Sequence, residues 1–185
     1  ILERDDVAAV RVTYMIGCLQ ALQQRYREVG SQLLILHDNP TQAIPRLAAA
    51  LNAQAVFWNW DVEPYSQERD RTIIEALKEK KIQVLHENWD QILHSPDEIR
   101  TGSSQPYTVF TPFWRNWSSK PKAEPVAMLQ GVIGLTDTEQ EIAQQVGVIP
   151  LPTAKDLGFI WDRDLVIAPG EAAAQERLEE FSYKA

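Results

Sequence analysis

Apolar residues recur at helical spacing from Asp5 to Val29, with Val10, Tyr14, Ile16, Leu19, Leu22 and Tyr26 among them, and Gly30 stands where such a helix would stop. The pattern predicts a first helix over 5–29. Leu33-Leu34-Ile35-Leu36 is a short continuous apolar run, as expected of a strand covered on both faces in a parallel sheet. Asn39-Pro40-Thr41 then opens a helix through Leu51. Ala55 to Trp60 predicts a second buried strand, Ser66 caps a helix to about Lys80, and Ile82 to Leu85 predicts a third strand. Strands alternating with helices point to an α/β fold with a doubly wound parallel sheet and flanking helices.

Beyond Leu93 the regular pattern dissolves. Ser95-Pro96-Asp97 signals a turn or short helix, Thr101 to Ser104 a loop, and Thr111 to Ser118 one or two helical turns led by Pro112. A proline-rich passage from Lys120 to Pro152 reads as an irregular connector. Within it, Thr136 followed by Glu139 forms a capping-box pattern that opens a helix to Gln145. Glu171 to Tyr183 regains helical propensity.

Composition narrows the function classes. With 185 residues, 44% of them hydrophobic, the chain can bury an ordinary core for one α/β domain plus an extension. A net charge of −8 and a pI near 4.9 argue against this surface gripping a nucleic-acid backbone, which needs clustered Lys and Arg. The single cysteine, Cys18, excludes an internal disulfide and reads as a small buried hydrophobe, since no His or acid lies beside it. No apolar run approaches the ~18 residues of a membrane span, and with no signal-like start the expected setting is cytoplasmic. The first residues, Ile-Leu-Glu-Arg-Asp-Asp, carry neither a methionine nor a strand pattern, so the segment is expected to begin inside a longer protein.

Candidate chemistry gathers after the second predicted strand. Ligands of open α/β sheets bind beyond the carboxyl ends of strands, and Asp61, Glu63 and Tyr65 follow Val56 to Trp60 there. The plainer alternative makes Asp61 and Glu63 solvated loop acids and Pro64 a simple turn residue. Arg69 falls in the first turn of the next predicted helix, where a cation opposes the helix dipole, so a partner such as Asp61, Glu63, Asp70 or a ligand is expected. Trp58 and Trp60 share one face of the strand, with core filling as the plainer role. His37, at a strand end, is the most pocket-like of the three histidines; their spacing suggests no metal site. There is no Gly-x-Gly-x-x-Gly, Gly-Lys-Ser/Thr, Gly-x-Ser-x-Gly or His-Glu-x-x-His pattern, so no catalytic residue is assigned to this segment.

Between Tyr107 and Trp117 the chain reads Tyr-Thr-Val-Phe-Thr-Pro-Phe-Trp-Arg-Asn-Trp. A loop so rich in aromatics is costly to leave in water and is expected to dock on a core, a ligand or a partner domain. Its order resembles the segment that closes the N-terminal α/β domain of the DNA photolyase and cryptochrome family. Asn59-Trp60-Asp61-Val62-Glu63-Pro64-Tyr65 with Glu68-Arg69-Asp70 resembles the same family's strand end and helix start. Arg11, Gly17-Cys18-Leu19-Gln20, Leu157-Gly158-Phe159 and Pro169-Gly170-Glu171 fall in the family's order and spacing. The resemblance covers almost the whole chain and is strongest to cyclobutane pyrimidine dimer photolyases with a deazaflavin antenna.

That resemblance implies a partial Rossmann-like sheet, because the family's opening strands have no counterpart here and lie mid-sheet, cutting Leu33–Leu36 off from Val56–Trp60. The piece is therefore expected to be poorly stable alone. Residues 1–118 would form the antenna-binding domain, 119–168 an interdomain connector and 169–185 the start of a helical FAD domain. The implied function is light harvesting: an 8-hydroxy-5-deazaflavin, or alternatively methenyltetrahydrofolate, passes excitation to FAD in the C-terminal domain, which splits the dimer in damaged DNA. The implied pigment-binding residues are Arg11, Asp61, Glu63, Tyr65 and Arg69, with Arg11 facing the same crevice. Damaged DNA would be bound through the missing domain. Alternatives are a cryptochrome-type blue-light receptor, a nucleotide- or flavin-binding electron-transfer module, and a plain interaction module that binds no pigment.

Overall fold

Gly30, at φ +84°, ends the first helix where the apolar pattern placed its stop, and the amides of Gly30 and Ser31 donate to the carbonyls of Arg27 and Tyr26. The computed structural model describes residues 7–86, 88–89, 91, 93–127 and 130–184, so the expected helix start at Asp5 and Asp6 lies outside the described residues. In chain order the elements are α1 (Ala9–Glu28), α2 (Pro40–Ala50), β1 (Ala55–Phe57), α3 (Pro64–Glu79), β2 (Gln83–Leu85), α4 (Phe110–Ser119), α5 (Asp137–Gln145) and α6 (Glu171–Lys184). The chain divides into two units, one of residues 1–37 with 129–185 and one of residues 38–128. No helix among the described residues is long and apolar enough to cross a membrane.

In the first unit Val12 and Ile16 are buried one turn apart on α1. Its bare patch at Gly17 receives the ring of Pro169, and the Cα of Gly170, at φ +105°, comes so close to Ala21 that a Cβ there would lie 2.8 Å from the alanine methyl. Thr136 caps α5 by accepting from the Glu139 amide at 3.3 Å, while the Glu139 carboxylate accepts from the Thr136 amide at 2.8 Å, the reciprocal box expected from sequence. Leu33–Leu36 does not form the expected parallel strand: it makes one antiparallel bridge, Ile35 to Ile149. A strand needs a neighbour with a continuous ladder, and apolar sequence alone supplies only half of that pair.

The second unit holds the sheet. β1 and β2 pair in parallel, Ala55 opposite Gln83, Val56 opposite Val84 and Phe57 opposite Leu85. β1 stops at Phe57, three residues short of the expected Trp60, because its partner β2 is only three residues long. Ile73 and Leu77, one turn apart on α3, pack with Ala48 of α2 and Ile82 to make the core, with Val56, Trp58 and Val84 against it. Asn39 caps α2, its Oδ1 accepting from the Thr41 amide at 3.0 Å, and Pro40 occupies the first helical position. α3 begins at Pro64 with Glu63 as its N-cap, so Ser66 is its third residue and not the expected cap. Pro64 moves the start earlier, since its fixed φ suits the first helical position.

Candidate functional site

Past β1 the backbone stays tied to the neighbouring chain, the Trp58 amide donating to Leu85 O at 3.2 Å and the Trp60 amide to Asn88 O at 3.1 Å. These bonds deliver Trp60 and Asp61 to the carboxyl end of the sheet, where open α/β sheets bind ligands. Trp60 is held from the side by Trp89, ring centroids 4.5 Å apart, and Trp58 packs on His86 at 5.2 Å.

Asp61 does more than end a strand. Its Oδ1 accepts from the Glu63 amide at 3.2 Å and its Oδ2 from the Ser66 hydroxyl at 3.3 Å. The Glu63 amide chiefly, with help from the Val62 amide and the Ser66 and Gln91 side chains, holds the Asp61 carboxyl below the ordinary aspartate range, against the opposing effect of burial. It therefore presents an ionised acceptor at neutral pH.

A cleft of about 500 Å³ opens beside it. Trp60 and Asp61 wall one end, His86 follows from β2, and α3 contributes Gln67, Asp70 with Arg71, Ile74 with Glu75, and Lys78. The α3 residues Gln67, Arg71, Ile74 and Lys78 recur at helical spacing, a largely polar stripe, and that periodicity was the available signal for lining residues that motif reading missed.

Of the five residues implied to bind pigment, Arg11, Asp61, Glu63, Tyr65 and Arg69, only Asp61 belongs to this lining. Glu63 is exposed and supplies the N-cap backbone, its carbonyl accepting from the Gln67 amide at 3.0 Å. Tyr65 is exposed, with the Arg69 guanidinium 6.0 Å from its ring centroid. Arg69 lies in the second turn of α3, not the first, because the helix starts at Pro64; its expected partner is Asp70, whose buried Oδ1 it meets at 2.7 Å. Arg11 belongs to the first unit, where it lines a groove of about 500 Å³ with Tyr14, Trp161 and Leu165. On the same helix, burial first and Cys18 second raise the Tyr14 hydroxyl above its usual range, and Cys18 is half-buried, not fully buried as expected.

The aromatic segment folds as α4, longer than the expected one or two turns. Tyr107 and Phe113 meet edge to face at 6.2 Å, and Asn116 donates to Tyr107 Oη at 3.1 Å and to Arg100 O at 3.0 Å. Lys122 lies 4.1 Å from the Trp117 ring centroid and donates to the Trp117 carbonyl, closing the helix end. Val109, Phe110 (73% exposed) and Trp114 face outward, so packing within the unit covers only part of this helix.

The chain matches the family model described as DNA photolyase over residues 1–130. Over its whole length it is 49% identical to an uncharacterised 31.6 kDa protein of Synechococcus sp. (strain PCC 6716), covering 63% of that protein. It is 46% identical, again over its whole length, to a deoxyribodipyrimidine photo-lyase of Synechococcus sp. (strain ATCC 27144), of which it covers 38%. A solved cryptochrome of Synechocystis sp. PCC6803 has a similar fold, with a TM-score of 0.78 and 19% identity, over 96% of this chain and 36% of that one. The chain thus spans less than two thirds of the length of these relatives.

Proposed function

Since the chain belongs to the DNA photolyase family, we propose that it is the light-harvesting part of a deoxyribodipyrimidine photo-lyase, with an antenna pigment seated at the cleft beside Trp60 and Asp61. The observation that carries this reading is the carboxylate of Asp61, held ionised where the sheet ends, at the edge of a cleft walled by an indole. The chemistry of the donor set fits a flat heteroaromatic: Trp60 offers a face for stacking, Asp61 an acceptor for a ring N–H, and Gln67 an amide that can both donate and accept. The cleft volume lies within the range of small-molecule sites.

In this proposal Trp60 and Asp61 bind and orient the pigment, and Glu63, Tyr65 and Arg69 complete its polar surroundings, while Arg11 belongs to the separate groove of the first unit. Bound there, a deazaflavin, or a folate in its place, would absorb light and hand the excitation to FAD in a further domain of the full protein. The outward residues Val109, Phe110 and Trp114 would dock on that domain. Damaged DNA would meet the full protein through the flavin domain, since this chain carries a net charge of −8.

The test is the absorption and fluorescence spectrum of the longest natural form of the protein, purified from its own host with its pigments retained. A deazaflavin or folate band beside the flavin supports the proposal, and the variants Asp61→Asn and Glu63→Gln should lose it. A flavin band alone, or unchanged pigment in both variants, would overturn the assignment. Dimer repair by the full-length protein separates a photolyase from a cryptochrome-type receptor.

A further inference from the structure

A serine inside a helix can turn its hydroxyl back to the carbonyl four residues earlier. Ser66 does not. The carbonyl of Val62 is taken by Gln67 Nε2 at 3.2 Å, and the hydroxyl of Ser66, a residue 7% exposed, donates instead to Asp61 Oδ2 at 3.3 Å. The other oxygen, Oδ1, is held by the Glu63 amide. Both oxygens of Asp61 are thereby fixed by donors from the start of α3.

We propose that Ser66 is a positioning residue of the pigment site: its buried hydroxyl fixes the Asp61 carboxylate as a rigid acceptor at the cleft, which selects ligands that present a ring N–H and are uncharged at that edge. The inference rests on the pigment reading of the cleft and names the ligand chemistry for it. Donors gathered on one carboxylate favour its charged form, so the site keeps its acceptor as the solution acidifies and repels ligands that are anionic at the same edge. The sign follows. Binding is present while Asp61 is ionised and is lost as pH falls through its carboxyl pKa, and removing a donor moves that loss to higher pH.

The experiment uses the full-length protein stripped of pigment, with 8-hydroxy-5-deazariboflavin as probe, followed by fluorescence across a pH series. Ser66→Ala should bind about tenfold more weakly at neutral pH. Its acid limit of binding should shift upward, while Ser66→Thr, which keeps the hydroxyl, should restore both. Isotope-edited infrared titration of the Asp61 carboxylate supplies a readout that a purely structural role would not move. Wild-type probe binding with an unaltered affinity and pH limit in Ser66→Ala would overturn the role of Ser66 and leave the pigment reading standing. Weaker binding at every pH with an unmoved Asp61 titration would also overturn it. Failure of the wild type to bind either the deazaflavin or methenyltetrahydrofolate would remove the pigment reading and this inference together.

Discussion

The ring of Pro169 closes over the bare patch of α1 at Gly17: a Cβ at Gly17 would lie 2.4 Å from Cγ of Pro169 and 2.8 Å from its Cβ. Two opposing effects meet at this position. Alanine in a helix interior is favoured over glycine by about 1 kcal/mol, whereas overpacking a close contact costs about 1–3 kcal/mol. Overlap at 2.4 Å with a stiff ring decides the sign. Gly17→Ala should therefore lower the urea midpoint of the full-length protein, and Gly17→Ala with Pro169→Ala should recover it. A midpoint raised by the single substitution would show that Pro169 yields freely.

Leu77 is fully buried and shares the core of the second unit with Ala48, Ile73 and Ile82. Its truncation leaves a cavity that the backbone of α3 and β2 cannot close. Leu77→Ala should destabilise by about 2–5 kcal/mol, measured by chemical denaturation with tryptophan fluorescence, and Leu77→Met by less than about 1.5 kcal/mol. Equal losses in the two variants would contradict the cavity argument.

Glu98 clamps the turn after β2. Its Oε1 accepts from the Ser95 amide at 2.9 Å and its Oε2 lies 3.1 Å from Nδ1 of the buried His94. The Ser95 amide first, and the His94 imidazole second, pull its carboxyl down to about 2. A depressed folded-state pKa stabilises above the unfolded value of 4.5, and the contribution fades as pH falls from there toward about 2. Carboxyl NMR should find Glu98 titrating near that lower value, and Glu98→Gln should flatten the acid limb of the stability curve. A Glu98 midpoint near 4.5 would refute the clamp.

Thr136 and Glu139 close the capping box of α5, each carrying a bond for the other. Thr136→Ala should cost about 1 kcal/mol and Thr136→Ser much less, read from denaturation midpoints. The Glu139 carboxyl, held below the ordinary range by the Thr136 amide and then its hydroxyl, should titrate closer to its normal value in Thr136→Ala. No change in that titration would show that the amide alone sets it.

The sequence by itself determined the local elements whose cause lies within a turn or two of the chain. Asn39 with Pro40 announced α2, Thr136 with Glu139 announced α5, and Gly30 marked the end of α1, because caps and stops are made by residues only a few positions apart. Asp61 was legible as a ligand candidate from its place after an apolar run, and Tyr107 to Trp117 as a segment needing cover. Tertiary structure alone decided what depends on neighbours distant in sequence. Leu33–Leu36 has the composition of a strand but only one bridge, at Ile35, because pairing needs a second strand in register. The largely polar stripe from Gln67 to Lys78 became a cleft wall only when Trp60 and His86 were brought beside it beyond the ends of β1 and β2. The bond from Ser66 to Asp61 required the early helix start at Pro64, which turns that hydroxyl toward the strand end and makes a solvent-type acid into a fixed acceptor.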